Sequence, residues 1–391
     1  MISVNKIKEE CCGCTACEHI CPAKAIKMFP DQEGFLYPVI KQEICIDCGL
    51  CRKVCPFQSE IDVDDKLDEP LVYAVKHKDY EVRMHSASGG AYTEISNIIL
   101  NKSGSVYGVK FDDNFKVVHS KATNTDERNK FRGSKYIQSD LGNTFVQVKK
   151  DLDSGQKVLF TGTGCQAAGL RKFLKDTKTN TNLLIINDIV CHGVPSPLLW
   201  DEYLKFIQMN NKLMSYTFRC KKKGWHGYNI KAEYENGKCI INTSALKVYA
   251  NLYSSGFTLR PSCYNCKFTN LNRISDITIG DFWGIEKTMP DIDDDTGISL
   301  VLVNTSKGKI TFDNIKENLE VWESNTQNCL QPNLIRPTKR PEKRDIFWHE
   351  YYDNGFKYIA KKYAGYNLKS IAKKNLKAFL KITGLTKLIK K

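Results

Sequence analysis

Two groups of four closely spaced cysteines lie near the start of this 391-residue chain. The members of these groups are, in order, Cys11, Cys14, Cys17 and Cys21, then Cys45, Cys48, Cys51 and Cys55. Both groups read C-x2-C-x2-C-x3-C, and each is followed by a proline, Pro22 or Pro56. Thiolates at this repeated spacing bind the irons of 4Fe–4S clusters. Zinc is the alternative metal, but a zinc site needs four thiolates and neither the repeated triplets nor the prolines.

The repeated pattern is that of a two-cluster ferredoxin, in which the fourth cysteine of each group binds the other group's cluster. This crossing predicts a first cluster site that consists of Cys11, Cys14, Cys17 and Cys55. It also predicts a second cluster site that consists of Cys21, Cys45, Cys48 and Cys51. Cys12 is left without a predicted ligand role.

Four cysteines in the rest of the chain are candidates for a further cluster. Cys165 and Cys191 follow stretches predicted as buried strands at 157–161 and 183–190, which a helix predicted at 167–174 connects. Such a βαβ unit has parallel strands, so both cysteines fall at the carboxyl edge of the sheet, where open α/β sheets bind ligands. A later pair has the C-x2-C spacing of a metal or cluster edge. We therefore predict a third cluster site that consists of Cys165, Cys191, Cys263 and Cys266.

The sequence leaves three other interpretations of these segments open. Cys165 and Cys191 also fit ordinary buried cysteines. The C-x2-C pair also fits a zinc knuckle completed by Cys220 and Cys239. Residues 162–167 fit the loose G-x-G-x-x-A fingerprint of a Rossmann site, in which Asp188 would bind the ribose of a dinucleotide.

Three glycine-containing loops are candidates for binding an organic cofactor. The first precedes a helix predicted at 91–100, and a helix N-terminus with backbone N–H groups favours a phosphate. The second places a lysine between two hydroxyl residues, and the third offers an aromatic pair that can stack on a flat ring. Their candidate residues are Ser88, Gly89, Gly90, Ser134, Lys135, Tyr136, Asp281, Phe282 and Trp283. His192, next to Cys191, is a candidate proton donor because histidine titrates near neutral pH.

Composition along the chain predicts an α+β ferredoxin-like two-cluster module followed by a larger mixed α/β domain and a basic helical C-terminal tail. We expect the module at 1–57, an acidic linker at 58–70, the larger domain at 71–345 and the tail at 346–391. Further helices are expected at 143–152 and 197–208. A hairpin is expected from 105–111 and 115–120.

The net charge of +14 is concentrated in one segment. Residues 356–391 contain eleven lysines and no acidic residue, so the rest of the chain carries only +3. The body shows no DNA-reading motif, and we expect no nucleic-acid partner. Apolar residues from Leu368 to Leu380 have helical spacing between lysines, a pattern that fits peripheral contact with an anionic membrane. It fits equally a helix that docks on the body or on a partner, or a disordered segment. Because cluster thiolates must stay reduced, we expect a cytoplasmic protein, at most peripheral to the inner face of the membrane.

These segments together resemble the beta subunit of the coenzyme F420-reducing hydrogenase and its dehydrogenase relatives. The segments that carry the resemblance are the three glycine-containing loops, the two cysteine loops at 162–166 and 191–196, and the C-x2-C pair. They occur in the family's order between residues 71 and 304, behind a fused ferredoxin module. The resemblance implies an FAD, an additional 4Fe–4S cluster beside it, and two-electron exchange with a deazaflavin such as F420.

These features predict an iron–sulfur flavoprotein oxidoreductase that exchanges electrons between an organic hydride carrier at FAD and a redox partner protein or subunit. The substrate cannot be read from the sequence. One alternative is a non-catalytic electron-transfer subunit of a larger complex. Another alternative, which the basic tail suggests, is a reductase of a sugar or lipid-linked substrate at the membrane.

Overall fold

The computed structural model describes residues 7–208 and 211–368. Its strands, β1 to β13, are Ile26–Pro30, Leu36–Ile40, Lys66–His77, Ser105–Phe111, Val117–Ala122, Val158–Thr163, Leu184–Ile189, Leu213–Thr217, Lys231–Tyr234, Cys239–Ile241, Ile277–Asp281, Ser299–Thr305 and Leu319–Ser324. Its helices, α1 to α14, are Ala16–Ile20, Leu50–Lys53, Tyr80–Met84, Ala91–Leu100, Thr125–Asn129, Thr144–Asp153, Gly164–Asp176, Pro197–Gln208, Lys247–Ser254, Ile285–Thr288, Ser306–Asp313, Pro332–Ile335, Arg344–Asn354 and Phe356–Tyr363.

Eight of these strands form one mixed sheet in the order β13-β3-β12-β11-β7-β6-β4-β5. The strands β4, β6, β7 and β11 are parallel, and the outer pairs are antiparallel. The predicted βαβ unit is confirmed as β6-α7-β7, with Gly162 opposite Asp188. The carboxyl ends of β6 and β7 therefore lie side by side, which is the edge where the cysteine loops begin.

Helices cover both faces of this sheet because its central strands are apolar on both sides. Along β6, Val158 and Phe160 pack on one face, while Leu159 packs on the other. This alternation follows from the two-residue period of a strand. The first face is covered by α6 and α7, and the second by α4 and α11.

The cysteine-rich N-terminal segment packs on the outer side of α6 and α7. Cys14 and Val54 share a hydrophobic core with Phe145 of α6 and Leu170 of α7. Gly169 of α7 permits the close approach, since a β-carbon there would lie 2.8 Å from the Cys14 sulfur. Within this segment, β1 and β2 form an antiparallel hairpin.

A second core lies around the three-stranded sheet β10-β9-β8. Trp200 and Tyr203 of α8 pack there against aromatic residues of the two C-terminal helices, including Phe347 and Phe356. The predicted tail at 346–391 is therefore wrong for its first part, because α13 and α14 are packed on the body. The basic amphipathic segment predicted beyond Leu368 lies outside the described residues.

The predicted linker at 58–70 is also too long, since β3 begins at Lys66 and pairs there with Thr305. The strand is long because it continues along β12 beyond its apolar half, a pairing that composition alone does not reveal. Among the described residues, no helix is long and apolar enough to cross a membrane.

Candidate functional site

The first and second cluster sites are formed by two short loops that fold in the same way. In each loop, one cysteine lies in a single helical turn, Cys17 in α1 and Cys51 in α2. The residue before each helix, Thr15 or Gly49, has a left-handed backbone, which bends the loop around a central space.

Cys17 and Cys51 each have other predicted ligands of the same site among their neighbours, and Cys17 also neighbours Cys51. Burial, followed by the nearby thiols of Cys14, Cys11 and Cys55, raises the pKa of Cys17 well above its usual value. The pKa of Cys51 is raised by burial and by the nearby Cys48 and Cys21. The second site encloses a cavity, and its wall contains all four predicted ligands, Cys21, Cys45, Cys48 and Cys51.

The two sites differ in exposure. The four cysteines of the first site are buried, each less than a tenth exposed. At the second site Cys48 is exposed, and the neighbouring Ile46 is 65% exposed. The second site therefore faces solvent, while the first lies between it and the body of the protein.

The structure brings the four cysteines of the predicted third site together. Cys165 begins α7, Cys191 follows β7, and Cys263 and Cys266 lie in and after a short 3-10 helix at Pro261–Asn265. Burial, followed by the thiols of Cys191, Cys266 and Cys165, raises the pKa of Cys263 well above its usual value. The pKa values of Cys191 and Cys266 are also raised, by burial and by neighbouring thiols that include Cys165. Four thiols this close form a donor set suited to a metal cluster, which removes their protons and compensates their charge.

The zinc-knuckle alternative is wrong. Cys220 and Cys239 are neighbours of Lys231 at the three-stranded sheet, and neither is among the groups that act on Cys263 or Cys266. Cys239 is exposed on β10.

Cys12, which sequence analysis left without a role, lies between the first and third sites. Hydrogen bonding with the sulfurs of Cys14 and Cys165, followed by burial, raises the pKa of Cys12 well above its usual value. The two sites are therefore separated by a single side chain. In the sequence, the position of Cys12 directly after Cys11 gives no indication of this contact.

A cavity of about 430 Å³ opens beside the third site. Its volume lies in the range of small-molecule and cofactor sites. It is lined by parts of all three predicted cofactor loops, namely Ser88, Gly90, Ser134, Lys135, Tyr136, Asp281 and Trp283. Cys191 and His192 also line it, so the cavity and the third cluster site share one loop.

Aromatic rings form one wall of the cavity. Trp283 stacks on Trp225 with centroids 4.8 Å apart and an interplanar angle of 5°. The buried Arg219 guanidinium lies beside the rings of Trp283 and Tyr228, 5.1 and 4.8 Å from their centroids. Arg219 donates to Asp281 Oδ2 at 2.8 Å, and Trp225 Nε1 donates to Oδ1 at 2.9 Å. These bonds fix Asp281 and the flat wall in place.

Sequence analysis missed Arg219, Trp225 and Tyr228. The only signal was a basic and aromatic run at 219–228. The prediction of Phe282 as a cofactor contact is wrong, because its side chain is fully buried in the core and is not part of the cavity wall. The strand β11 ends at Asp281, and Trp283 lies in the turn that follows, partly buried at the edge of the core that contains Phe282.

The loop that contains Ser88 is held in place by backbone contacts. Gly89 is packed against β3, where a β-carbon would lie 2.0 Å from the Val75 carbonyl oxygen, and it is not part of the wall. Lys221 donates three hydrogen bonds to carbonyl oxygens, to Ser88 at 2.6 Å and to Arg83 and Thr296 at 2.7 Å each. Gly90 has φ of 95° and precedes α4, which keeps the end of the loop open toward the cavity.

The loop that contains Ser134 is stabilised by its own lysine. Lys135 Nζ donates to the carbonyl oxygens of Lys130 and Arg132 at 2.9 and 2.8 Å. Burial lowers the pKa of Lys135 to about 7. The Tyr136 ring stacks on Tyr253 at 5.2 Å and so continues the aromatic wall.

His192 lies at the junction of the cavity and the third site. Its Nδ1 is 3.3 Å from the Thr338 hydroxyl, which donates to the His192 carbonyl at 2.6 Å. The imidazole edge packs on the Tyr253 ring at 5.2 Å. These contacts fix the loop that carries Cys191, and the proton-donor role stays a prediction.

The Rossmann interpretation is wrong. Asp188 is fully buried, its Oδ1 accepts hydrogen bonds from Ser275 and Thr278 at 2.7 and 2.6 Å, and its Oδ2 pairs with Arg273. Neither of its carboxylate oxygens is left for a ribose. The turn at Thr163 instead caps α7 together with Gln166.

Two family models match parts of this chain. Residues 155–328 match the family described as the C terminus of the coenzyme F420 hydrogenase/dehydrogenase beta subunit. Residues 10–59 match the 4Fe-4S dicluster domain. Over these ranges the chain resembles an F420 hydrogenase/dehydrogenase beta subunit behind a dicluster domain. It is an iron–sulfur protein of electron transfer.

Individual relatives cover both parts of the chain. The F subunit of the F(420)H(2) dehydrogenase from Methanosarcina mazei is 20% identical over 324 residues, which are 80% of this chain and 84% of the relative. Ferredoxin 7Fe from Hydrogenibacillus schlegelii is 33% identical over 76 residues, 19% of this chain and 91% of the ferredoxin. One chain in the structure of the F420-reducing [NiFe] hydrogenase complex from Methanosarcina barkeri superimposes with a TM-score of 0.46 and 16% identity, over 68% of this chain and 85% of that chain.

Proposed function

We propose that this chain is an iron–sulfur flavoprotein oxidoreductase that exchanges electrons between an organic hydride carrier and a one-electron partner protein. One observation carries the proposal: Cys191 belongs both to the wall of the 430 Å³ cavity and to the third cluster site. A flavin would supply the conversion between two-electron and one-electron chemistry. A flavin in this cavity would lie next to a cluster.

The residues of the cavity fit an FAD. The Trp283 and Tyr136 rings offer flat apolar surfaces for an isoalloxazine. The Gly90 end of α4 and the loop around Ser134 offer backbone N–H groups and positive charge for phosphates. These residues would bind and orient the cofactor, and the packed loops behind them would exclude water.

The cavity and the three cluster sites form a series that leads from the cavity to the protein surface. The cavity borders the third site, Cys12 joins the third site to the first, and Cys17 of the first site neighbours Cys51 of the second. The second site is exposed at Cys48. We infer that the partner protein exchanges electrons there. We propose a deazaflavin such as F420 as the hydride carrier, because the relative from Methanosarcina mazei is named for F420H2.

Anaerobic purification with assays of iron, sulfide and flavin tests this function. Three 4Fe–4S clusters predict about twelve irons and one flavin per chain. Trp283→Leu should weaken flavin binding roughly tenfold, because it removes the stacking ring. Trp322→Leu is the matched control, since Trp322 packs partly buried on the same core but does not line the cavity. About twelve irons without flavin would identify the chain as a non-catalytic electron-transfer subunit instead.

A further inference from the structure

The most deeply buried cation near the cluster sites is Arg260, whose side chain is 0% exposed. Its guanidinium donates to the Cys11 carbonyl at 2.6 Å, to Gln138 Oε1 at 2.9 Å and to the Leu36 carbonyl at 2.8 Å. Nη2 also lies 3.5 Å from the Cys11 sulfur, a ligand of the first site. The Tyr37 ring covers one side, 4.2 Å from the guanidinium carbon. The position of this charge is therefore fixed by contacts on all sides.

Arg260 also contacts the third site through its backbone. Its carbonyl accepts a hydrogen bond from the Cys263 N–H at 2.9 Å, and its own N–H donates to Val194. Val194 in turn donates its N–H to the Cys263 sulfur at 3.4 Å. The guanidinium thus faces the first site, while the main chain of the same residue supports the third.

No carboxylate compensates this charge within the described part of the chain. Arg260 forms no ion pair with an aspartate or glutamate there, in contrast to the buried Arg344 and Arg273, which pair with Glu33 and Asp188. The titratable groups that act on it are the thiols of Cys11, Cys12 and Cys263 and the phenol of Tyr37. A buried cation is costly unless an anion faces it. A cluster held by four thiolates carries net negative charge and would be that anion.

Within the described ranges, the second site has no hydrogen-bonding cation comparable to Arg260. Among the described residues, no arginine or lysine donates a hydrogen bond to Cys21, Cys45, Cys48 or Cys51. Cys48 is exposed, so water and salt screen that site. The two ferredoxin-type sites therefore differ in charge environment, although their sequence patterns are the same.

We propose that Arg260 sets the reduction potential of the cluster at Cys11, Cys14, Cys17 and Cys55, and raises it above the value that burial alone would give. This inference rests on the proposed iron–sulfur function. One-electron reduction adds a negative charge to the cluster, and net charge and hydrogen bonds to the sulfurs determine cluster potentials. A fixed cation stabilises the reduced form more than the oxidised form. Arg260 thus acts on this cluster through its fixed charge and through its hydrogen bond to the Cys11 sulfur.

Redox titration of the full chain, followed by low-temperature EPR, tests the proposal. Arg260→Gln should make reduction of one cluster at least tenfold less favourable, a shift of at least about 59 mV for one electron. Arg260→Lys retains the positive charge and should keep most of the increase in reduction potential. Arg52→Gln is the control, because it removes the same charge from an exposed position beside Cys51.

Gln138→Glu provides an independent variant in case Arg260→Gln does not assemble. It keeps a hydrogen-bond acceptor for Nη1 but introduces a carboxylate that neutralises the guanidinium, so it should shift the same titration step in the same direction. An unchanged titration in both neutralising variants, with iron content equal to the parent protein, overturns the role of Arg260. A parent protein with far fewer than about twelve irons would instead contradict the proposed function.

Discussion

Arg344 donates hydrogen bonds to both carboxylate oxygens of Glu33, with Nη1 2.8 Å from Oε1, although 311 positions separate the two residues. Glu33 lies in the turn between β1 and β2, and Arg344 begins α13. Both are buried, and Arg344 also donates to the Leu259 carbonyl and the Tyr264 hydroxyl, beside Cys263. This ion pair therefore joins the dicluster module, the C-terminal helices and the third cluster site.

Breaking this pair should destabilise the protein strongly. Glu33→Gln leaves the Arg344 charge buried without its counterion, which typically costs about 3–5 kcal/mol. Asp62→Asn is the control, since the Asp62–Lys175 pair is exposed and worth only about 0–1 kcal/mol. Thermal unfolding under anaerobic conditions should therefore show a much lower Tm for Glu33→Gln than for Asp62→Asn. Equal changes would show that the buried pair has no special role.

Lys221 should be essential for holding the Ser88 loop at the cavity. Lys221→Met removes three donors and leaves three carbonyl oxygens without their partner, each loss costing about 1–3 kcal/mol. Hydrogen exchange should become faster at 83–90 and 294–297. Lys222→Met changes an exposed neighbour and should stay within about 0.5 kcal/mol of the parent protein. Unchanged exchange in Lys221→Met would contradict this role.

Cys12 and Cys165 should respond differently to substitution, although their sulfurs are in contact. Cys165→Ala removes a predicted ligand of the third site and should lower the iron content from about twelve to about eight per chain. Cys12→Ala removes only the hydrogen bonds to Cys14 and Cys165, so about twelve irons should remain. Iron and sulfide assays on anaerobic protein distinguish the two. Loss of four irons in Cys12→Ala would make Cys12 a ligand.

Local patterns in the sequence predicted the elements that carry the cysteines. The strands and helix of β6-α7-β7 were predicted within a few residues, because an apolar run that ends in a glycine-rich turn identifies a strand locally. Parallel pairing then placed Cys165 and Cys191 at one edge without knowledge of the rest of the fold. The cysteine spacing identified the first two sites for the same reason.

The contacts that complete each site could not be predicted in this way. Arg219, Lys221 and Arg260 act on partners 62, 133 and 249 positions away, and such contacts depend on how the elements pack together. Nothing in the sequence around Arg260 distinguishes a buried cation from an exposed one. Packing likewise decided that Phe282 faces the core and that the C-terminal helices belong to the body.

His119 should make the stability of the protein depend on pH. Its imidazole is buried, stacks on Phe160 at 5.5 Å and lies 3.2 Å from the Thr161 carbonyl through Nε2. Burial lowers the pKa of His119 to about 4, from 6.5 in the unfolded chain. Below pH 6.5 the imidazole is protonated in the unfolded chain but stays neutral in the folded protein down to about pH 4. The free energy of unfolding therefore falls as the pH is lowered from 6.5 to 4. At about pH 5.5 the free energy of unfolding is lower than at about pH 7.5 by roughly 1.3 kcal/mol.

His119→Gln should lack this part of the pH dependence, which paired Tm measurements at about pH 7.5 and about pH 5.5 would reveal. An identical decrease of Tm in both proteins would assign the acid sensitivity to other groups.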